Sequence, residues 1–172
     1  MRGYLGPVSA LLPSVYFAYG SNLDPRTFLG RRRMRPERAT CARLEGYRLV
    51  FDLPVGPGER GVANLRAEPG SEVYGVAYWL DFSDAGRLDR SEGVHRGFYL
   101  RRGVDLDTPE GAIAAFTYVS GRGEPGRRPS QRYLNLILRG ARHHRLPPNY
   151  IEELRGLPLA VDERERAQGE LF

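Results

Sequence analysis

Lysine is absent from the chain: all 26 of its Lys+Arg residues are arginine. A bias of that kind belongs to overall composition and points to no particular partner. Arginine suits phosphate and carboxylate recognition, yet the cations run from Arg2 to Arg166 with acids among them and a net charge of only +5, so no nucleic-acid stripe is expected. The one dense run, Arg31-Arg32-Arg33-Met34-Arg35, reads as a solvated helix-end face. No Gly-Lys-Ser/Thr phosphate loop occurs, and Gly20-Ser21 does not sit in a Gly-x-Ser-x-Gly elbow. The single cysteine, Cys41, allows neither an internal disulfide nor a cysteine-based zinc site, and it reads as packing in a reducing compartment. Three histidines, His95, His143 and His144, lack ligand spacing with acids or with Cys41, so no metal is expected. His143 and His144 read as surface residues near a helix C-terminus, where positive charge is favoured. No long apolar run is present. The start, "MRGYLGPVSALLPS", has one arginine, a broken apolar stretch and Pro13, which argues against a signal peptide or a membrane span. The expectation is a cytoplasmic protein with no membrane partner.

What remains is ordinary globular material. At 172 residues and 41% hydrophobic content, the chain is expected to form one domain, 1–172, with a core over about 15–157 and a charged, loose tail from Asp162. Strand composition marks Val15–Tyr19, Gly46–Asp52, Gly61–Leu65, Glu72–Leu80, Phe98–Leu106 and Gly111–Val119, most of them separated by Gly/Pro-rich turns. Helices gather late. A short one follows Ser83 with a serine cap. The longest covers "PSQRYLNLILRGARHH", with Tyr133, Leu134, Ile137, Leu138 and Ala141 at core-facing spacing, and a last turn runs from Pro148 to Leu154. The pattern predicts an α+β fold with flanking helices on a mainly antiparallel mixed sheet, either open or closed into a small barrel-like core.

Two places carry chemistry. In "VYFAYGSNLDPRTF", an apolar strand stops at Gly20, and Asp24-Pro25 then opens a helix to about Leu29, with Asp24 as its cap. Gly20, Ser21, Asn22 and Leu23 are thereby a tight strand-to-helix corner. In such a corner, successive backbone N–H groups can converge on an anion such as a carboxylate. The other place is Glu92, which closes the Ser83 helix and precedes Gly93, a C-cap. There the helix dipole is negative and disfavours a carboxylate, and a dry setting would raise its pKa further, as an acid/base needs near neutral pH.

The segments "YFAYGSNL", "ARLEGYRLVFD", "GVANLRAEPGSEVYGVAYWL", "LDRSEGVHRGFY", "PSQRYLNLILRGA" and "LPPNYIEEL" occur in the order of the γ-glutamylcyclotransferase family, which the chain resembles from about 15 to 157. Tyr-Gly-Ser-Asn is moderately specific. Combined with Leu88-Asp89-x-x-Glu92-Gly93 and Tyr99 it is a strong signature. The resemblance implies a mixed α/β fold around a small barrel, no cofactor, and cleavage of γ-glutamyl amides by cyclisation to 5-oxoproline with release of the amine. It places the catalytic acid/base on Glu92, the substrate-binding corner on Tyr19, Gly20, Ser21, Asn22 and Leu23, and further substrate contacts on Tyr99 and Tyr133. The implied partner is a small γ-glutamyl substrate, with a homodimer left open. Val94–Arg96 and the loop Gly121–Ser130 are the surfaces expected to meet the leaving amine, the loop as a cover. Within the same class stands a γ-glutamyl-amine or pathway-specific deblocking enzyme. From other classes stand an idle small-carboxylate-binding module and an arginine-rich nucleic-acid binder.

Overall fold

Two long strands carry the sheet. β2 (Arg38–Pro54) and β3 (Gly61–Leu80) pair antiparallel along most of their length. β1 (Ser14–Ala18) lies antiparallel on the other side of β3. β4 (Leu100–Thr108) and β5 (Gly111–Val119) form a hairpin that joins β2 through Arg43 and Asp107. β5 meets β1 in parallel at Tyr16 and Phe116, so the order β1-β3-β2-β4-β5 closes into a barrel. The mixed α+β architecture is the one the sequence predicts, and its closure into a small barrel is what the family resemblance implies. This computed structural model describes residues 14–161. The N-terminal stretch and the charged tail discussed above lie outside the described residues. Among the described residues, no helix is long and apolar enough to cross a membrane.

Closure of so small a barrel puts backbone close to side chains. A Cβ on Gly75 would run into the Phe17 ring and the Ala18 carbonyl, so only glycine lets β3 lie against β1 here. Phe17, Leu80, Leu88, Leu106, Leu134 and Ile137 are fully buried or nearly so. α1 (Phe82–Ser91) and α2 (Gln131–His143) cover the barrel, and α3 (Pro148–Arg155) packs on α2. α2 buries Leu134, Ile137, Leu138 and Ala141 as their spacing predicts, and Tyr133 is half-buried at the edge of that face. Gly140 of α2 rests on the backbone of Leu23, where a Cβ would collide. The late helix therefore presses directly on the strand-to-helix corner.

Several boundaries differ from the sequence reading, each for a local reason. Gly61–Leu65 and Glu72–Leu80 are one strand, not two: Pro69-Gly70 makes a bulge opposite Gly46, with both glycines at positive φ, and pairing resumes on either side. The same continuity extends β2 back from Gly46 to Arg38. α1 is capped by Asp81, whose side chain accepts from the Asp84 N–H, and not by Ser83. β4 starts at Leu100 because Gly97, at φ +65°, turns the chain just before it. After the corner there is no α-helix but a 3₁₀ turn, Ser21–Leu23, and a π-helical turn, Arg26–Arg31. The carboxylate of Asp24 accepts from the Thr27 hydroxyl at the start of that turn at 2.9 Å, and it is held as well by Arg139 of α2 at 2.8 and 2.6 Å. His144 is no surface cation: it is half-buried, with Nε2 3.0 Å from the Tyr78 hydroxyl. Burial and neighbouring His143 push it down to about 4.

Candidate active site

The corner forms one wall of a cavity of about 200 Å³. Tyr19, Gly20, Ser21, Asn22, Tyr99 and Tyr133 line it with Glu92, so seven of the eight residues singled out in the sequence converge here. Leu23 does not line it. Its side chain is fully buried under α2, and its N–H closes the turn onto the Gly20 carbonyl at 3.0 Å. Its part is to pin the corner from behind. Gly20 has φ −114°, an ordinary value, so its glycine answers to space: a Cβ would stand 3.0 Å from Ala63 Cβ and 3.3 Å from the Tyr133 hydroxyl.

Glu92 ends α1. Its N–H bonds the Leu88 carbonyl at 2.9 Å, and Gly93 follows in the left-handed region at φ +68°, as the C-cap reading required. A Cβ on Gly93 would stand 2.8 Å from the Phe98 ring, so the turn that aims Glu92 is tightly packed. The Glu92 side chain is only 12% exposed. Two donors fix its Oε1: Asn22 Nδ2 at 3.1 Å and Arg32 Nη1 at 3.1 Å. Arg32 also bonds the Ser91 hydroxyl. In the sequence Arg32 belongs to an expected solvated face; the structure half-buries it against Glu92. Nothing in the run of arginines marks it, because only the π-helical turn brings it under α1.

Asn22 is itself anchored. Its Nδ2 donates to the Tyr16 hydroxyl at 2.9 Å, and its carbonyl accepts from the Tyr78 hydroxyl at 3.1 Å. Tyr16 and Tyr118, read from sequence as strand residues only, also line the cavity. Tyr118 donates to Asp89 at 2.7 Å, and Asp89 accepts from Arg101 at 2.6 Å. Tyr19 donates to the Tyr118 carbonyl at 2.5 Å.

The opposite wall is a β-bulge. Val50 pairs with Asn64 and Leu53 with Val62, so two residues of β2 face the single residue Ala63. The backbone groups of Ala63 go to tyrosines: its N–H donates to the Tyr133 hydroxyl at 3.1 Å, and its carbonyl accepts from the Tyr99 hydroxyl at 2.8 Å. Bulges re-aim side chains beside functional sites, and here one fixes both tyrosines. Burial raises the phenols of Tyr16, Tyr19, Tyr99 and Tyr133 above their ordinary value, with the charge of Glu92 adding to each. All four are therefore neutral near pH 7.

Neither surface expected to meet a leaving amine reaches the cavity. Val94–Arg96 forms a 3₁₀ turn, and Arg96 lies over the Phe98 ring. The loop Gly121–Ser130 is tied along the barrel: the Glu124 N–H bonds the Asp52 carbonyl at 2.7 Å, and the Arg128 carbonyl takes the Gly61 N–H at 2.8 Å. A loop so fastened is no cover. Among the described residues, no group of three or more His, Cys, Asp or Glu side chains could hold a metal ion.

Known proteins resemble this chain in sequence and fold. The model of the AIG2-like family matches residues 72–154. A γ-glutamylcyclotransferase of Homo sapiens is 34% identical over 151 residues, covering 83% of this chain and 78% of its own. The Mus musculus protein of the same name is 35% identical over 150 residues with the same coverage. A solved structure named γ-glutamyl cyclotransferase superposes with a TM-score of 0.75 at 31% identity, over 85% of this chain and 88% of that one.

Proposed function

The chain belongs to the γ-glutamylcyclotransferase family, and on that premise we propose that it cyclises the γ-glutamyl group of γ-glutamyl amino acids, giving 5-oxoproline and the free amino acid, with Glu92 as the single acid/base. The observation that carries the reading is the position of Glu92, nearly buried, fixed by Asn22 and Arg32, in the cavity that the corner walls.

Amine and carbonyl already belong to one substrate molecule. Holding the bent conformer, with the α-amine against its own γ-carbonyl, supplies much of the rate through effective molarity, on the order of several kcal/mol. Glu92 takes a proton from the α-ammonium, and the freed lone pair attacks the γ-carbonyl carbon. The attacking nitrogen, cationic once the new C–N bond forms, gives up its second proton to solvent; the tetrahedral oxyanion then collapses, the amide C–N bond breaks, and Glu92 returns its proton to the departing nitrogen. Corner backbone N–H groups between Gly20 and Asn22 receive the glutamyl α-carboxylate or the carbonyl oxygen. Tyr133 accepts from Ala63 and is hydrogen-bonded to Ser21, which ties it to the corner, and Tyr16 accepts from Asn22, which leaves its own O–H proton to be directed at the ligand. Tyr99 and Tyr19 spend theirs on backbone carbonyls and shape the wall. No side-chain nucleophile is needed.

Incubation with a panel of γ-glutamyl dipeptides and γ-glutamyl amines, scored for 5-oxoproline and for the released amine, tests the proposal. Equimolar appearance of both supports it. Release of free glutamate without 5-oxoproline would mean hydrolysis and sink the cyclisation step.

A further inference from the structure

The catalytic cavity, at about 200 Å³, is smaller than the roughly 300–1,000 Å³ of sites that enclose a whole ligand. The amine half of a substrate must therefore extend beyond it. Val62 and Tyr133 line the cavity and also a neighbouring groove of about 480 Å³. That groove is ringed by Arg26, Arg31, Arg60, Arg132 and Arg139, and Asp24 is its only acid among the described residues. Asp24 is already neutralised by its two hydrogen bonds to Arg139. Arg26, Arg31 and Arg132 make no ion pair with any described residue. Two local geometries assemble this charge. Arg32 N–H bonds the Thr27 carbonyl at 2.9 Å, five residues back, and a turn closed in that way sets Arg26 and Arg31 over one another. On α2, Arg132, Leu136 and Arg139 share a face at i, i+4 and i+7.

We propose that this groove is a subsite for an anionic leaving group: the enzyme prefers γ-glutamyl derivatives of acidic amino acids, whose side-chain carboxylate sits among Arg26, Arg31 and Arg132. The inference rests on the cyclotransferase reading and adds to it the class of amine released. Arginine forks match carboxylates in geometry as well as in charge. A concave groove sharing a wall with the reacting centre suits a small anion, whereas a nucleic-acid backbone would need a stripe of charge across open surface.

The test compares kcat/KM for γ-glutamyl-glutamate and γ-glutamyl-glutamine, which are alike in shape and differ in one charge. The expected ratio is at least about tenfold in favour of glutamate at low salt, falling as ionic strength rises. The double variant Arg31→Gln/Arg132→Gln should bring the ratio to within about twofold, and Arg102→Gln, on an exposed part of β4, should leave it unchanged. A wild-type ratio near one, with both compounds turned over, overturns the subsite and leaves the cyclotransferase reading standing. A large ratio that survives the double variant also overturns it. Failure to release 5-oxoproline from either compound removes the cyclotransferase reading and the subsite with it.

Discussion

Asn22 and Glu92, 70 positions apart in the chain, meet at 3.1 Å, amide nitrogen to carboxylate oxygen. One end of that contact is the strand-to-helix corner, the other the C-terminus of α1. Barrel closure brings them together, so the contact reports on the fold and on the site at once. Asn22→Leu removes the amide but keeps the volume close. A hydrogen bond to a charged group contributes about 1.5–3 kcal/mol, so kcat should fall by about 10- to 150-fold. If Asn22 only packs, kcat will stay within about twofold while thermal stability drops.

Glu92→Gln keeps size and much of the hydrogen bonding yet cannot accept the α-ammonium proton. Turnover at saturating substrate should fall by about a hundredfold or more. Calorimetric binding of a γ-glutamyl analogue lacking the α-amine should persist. Near-normal 5-oxoproline release by this variant would defeat the mechanism. Loss of binding together with turnover would recast Glu92 as an anchor.

At the corner, Gly20→Val should injure substrate binding more than stability. The added carbons enter the space between Ala63 Cβ and the Tyr133 hydroxyl, which a Cβ would approach at 3.0 and 3.3 Å. An increase in KM of about tenfold or more is expected, with the melting temperature shifted by only a few degrees. Unchanged KM in a folded variant would mean that the corner does not cradle the ligand.

Much of this site was legible because its signals are local. Gly20 ending an apolar strand, Asp24-Pro25 beginning a new direction, and Gly93 after Glu92 each state a backbone event in two or three residues. Helical spacing marked Tyr133 only as core-facing; its place in the site came from the family resemblance, and its pairing with Tyr99 only from the structure. What escaped notice depends on register and closure. Arg32 looks like its neighbours Arg31 and Arg33 until a π-helical turn selects it. Tyr16 and Tyr118 read as strand residues because the sequence does not say which way a barrel strand faces. The Ala63 bulge exists only in the pairing of β2 with β3, so no single segment announces it. The same limit made Pro69-Gly70 look like a strand break, and it concealed the partner of His144, which sits 66 positions away at Tyr78.

That last pair gives stability a pH dependence with a definite sign. His144 lies against the Tyr78 hydroxyl, His143 and the Leu23 backbone, and burial, followed by His143, lowers it from 6.5 to about 4. Its folded value is depressed, so the unfolded chain binds the proton first as pH falls. The contribution is intact above about 6.5 and is lost progressively down to about 4. Asp24 is also depressed, by its hydrogen bonds to Arg139 first, but its loss begins only in the ordinary carboxyl range, so the two windows separate. Each unit corresponds to about 1.4 kcal/mol, which sets an upper bound of about 3.5 kcal/mol for His144 and less after solvent screening. Urea unfolding at pH 7.5, 5.5 and 4.5 should show wild type weakening between the first two points, where Asp24 is still ionised in both states. His144→Gln, which keeps a polar partner for Tyr78, should flatten that interval. An unchanged slope in the variant would assign the acid sensitivity to carboxylates alone.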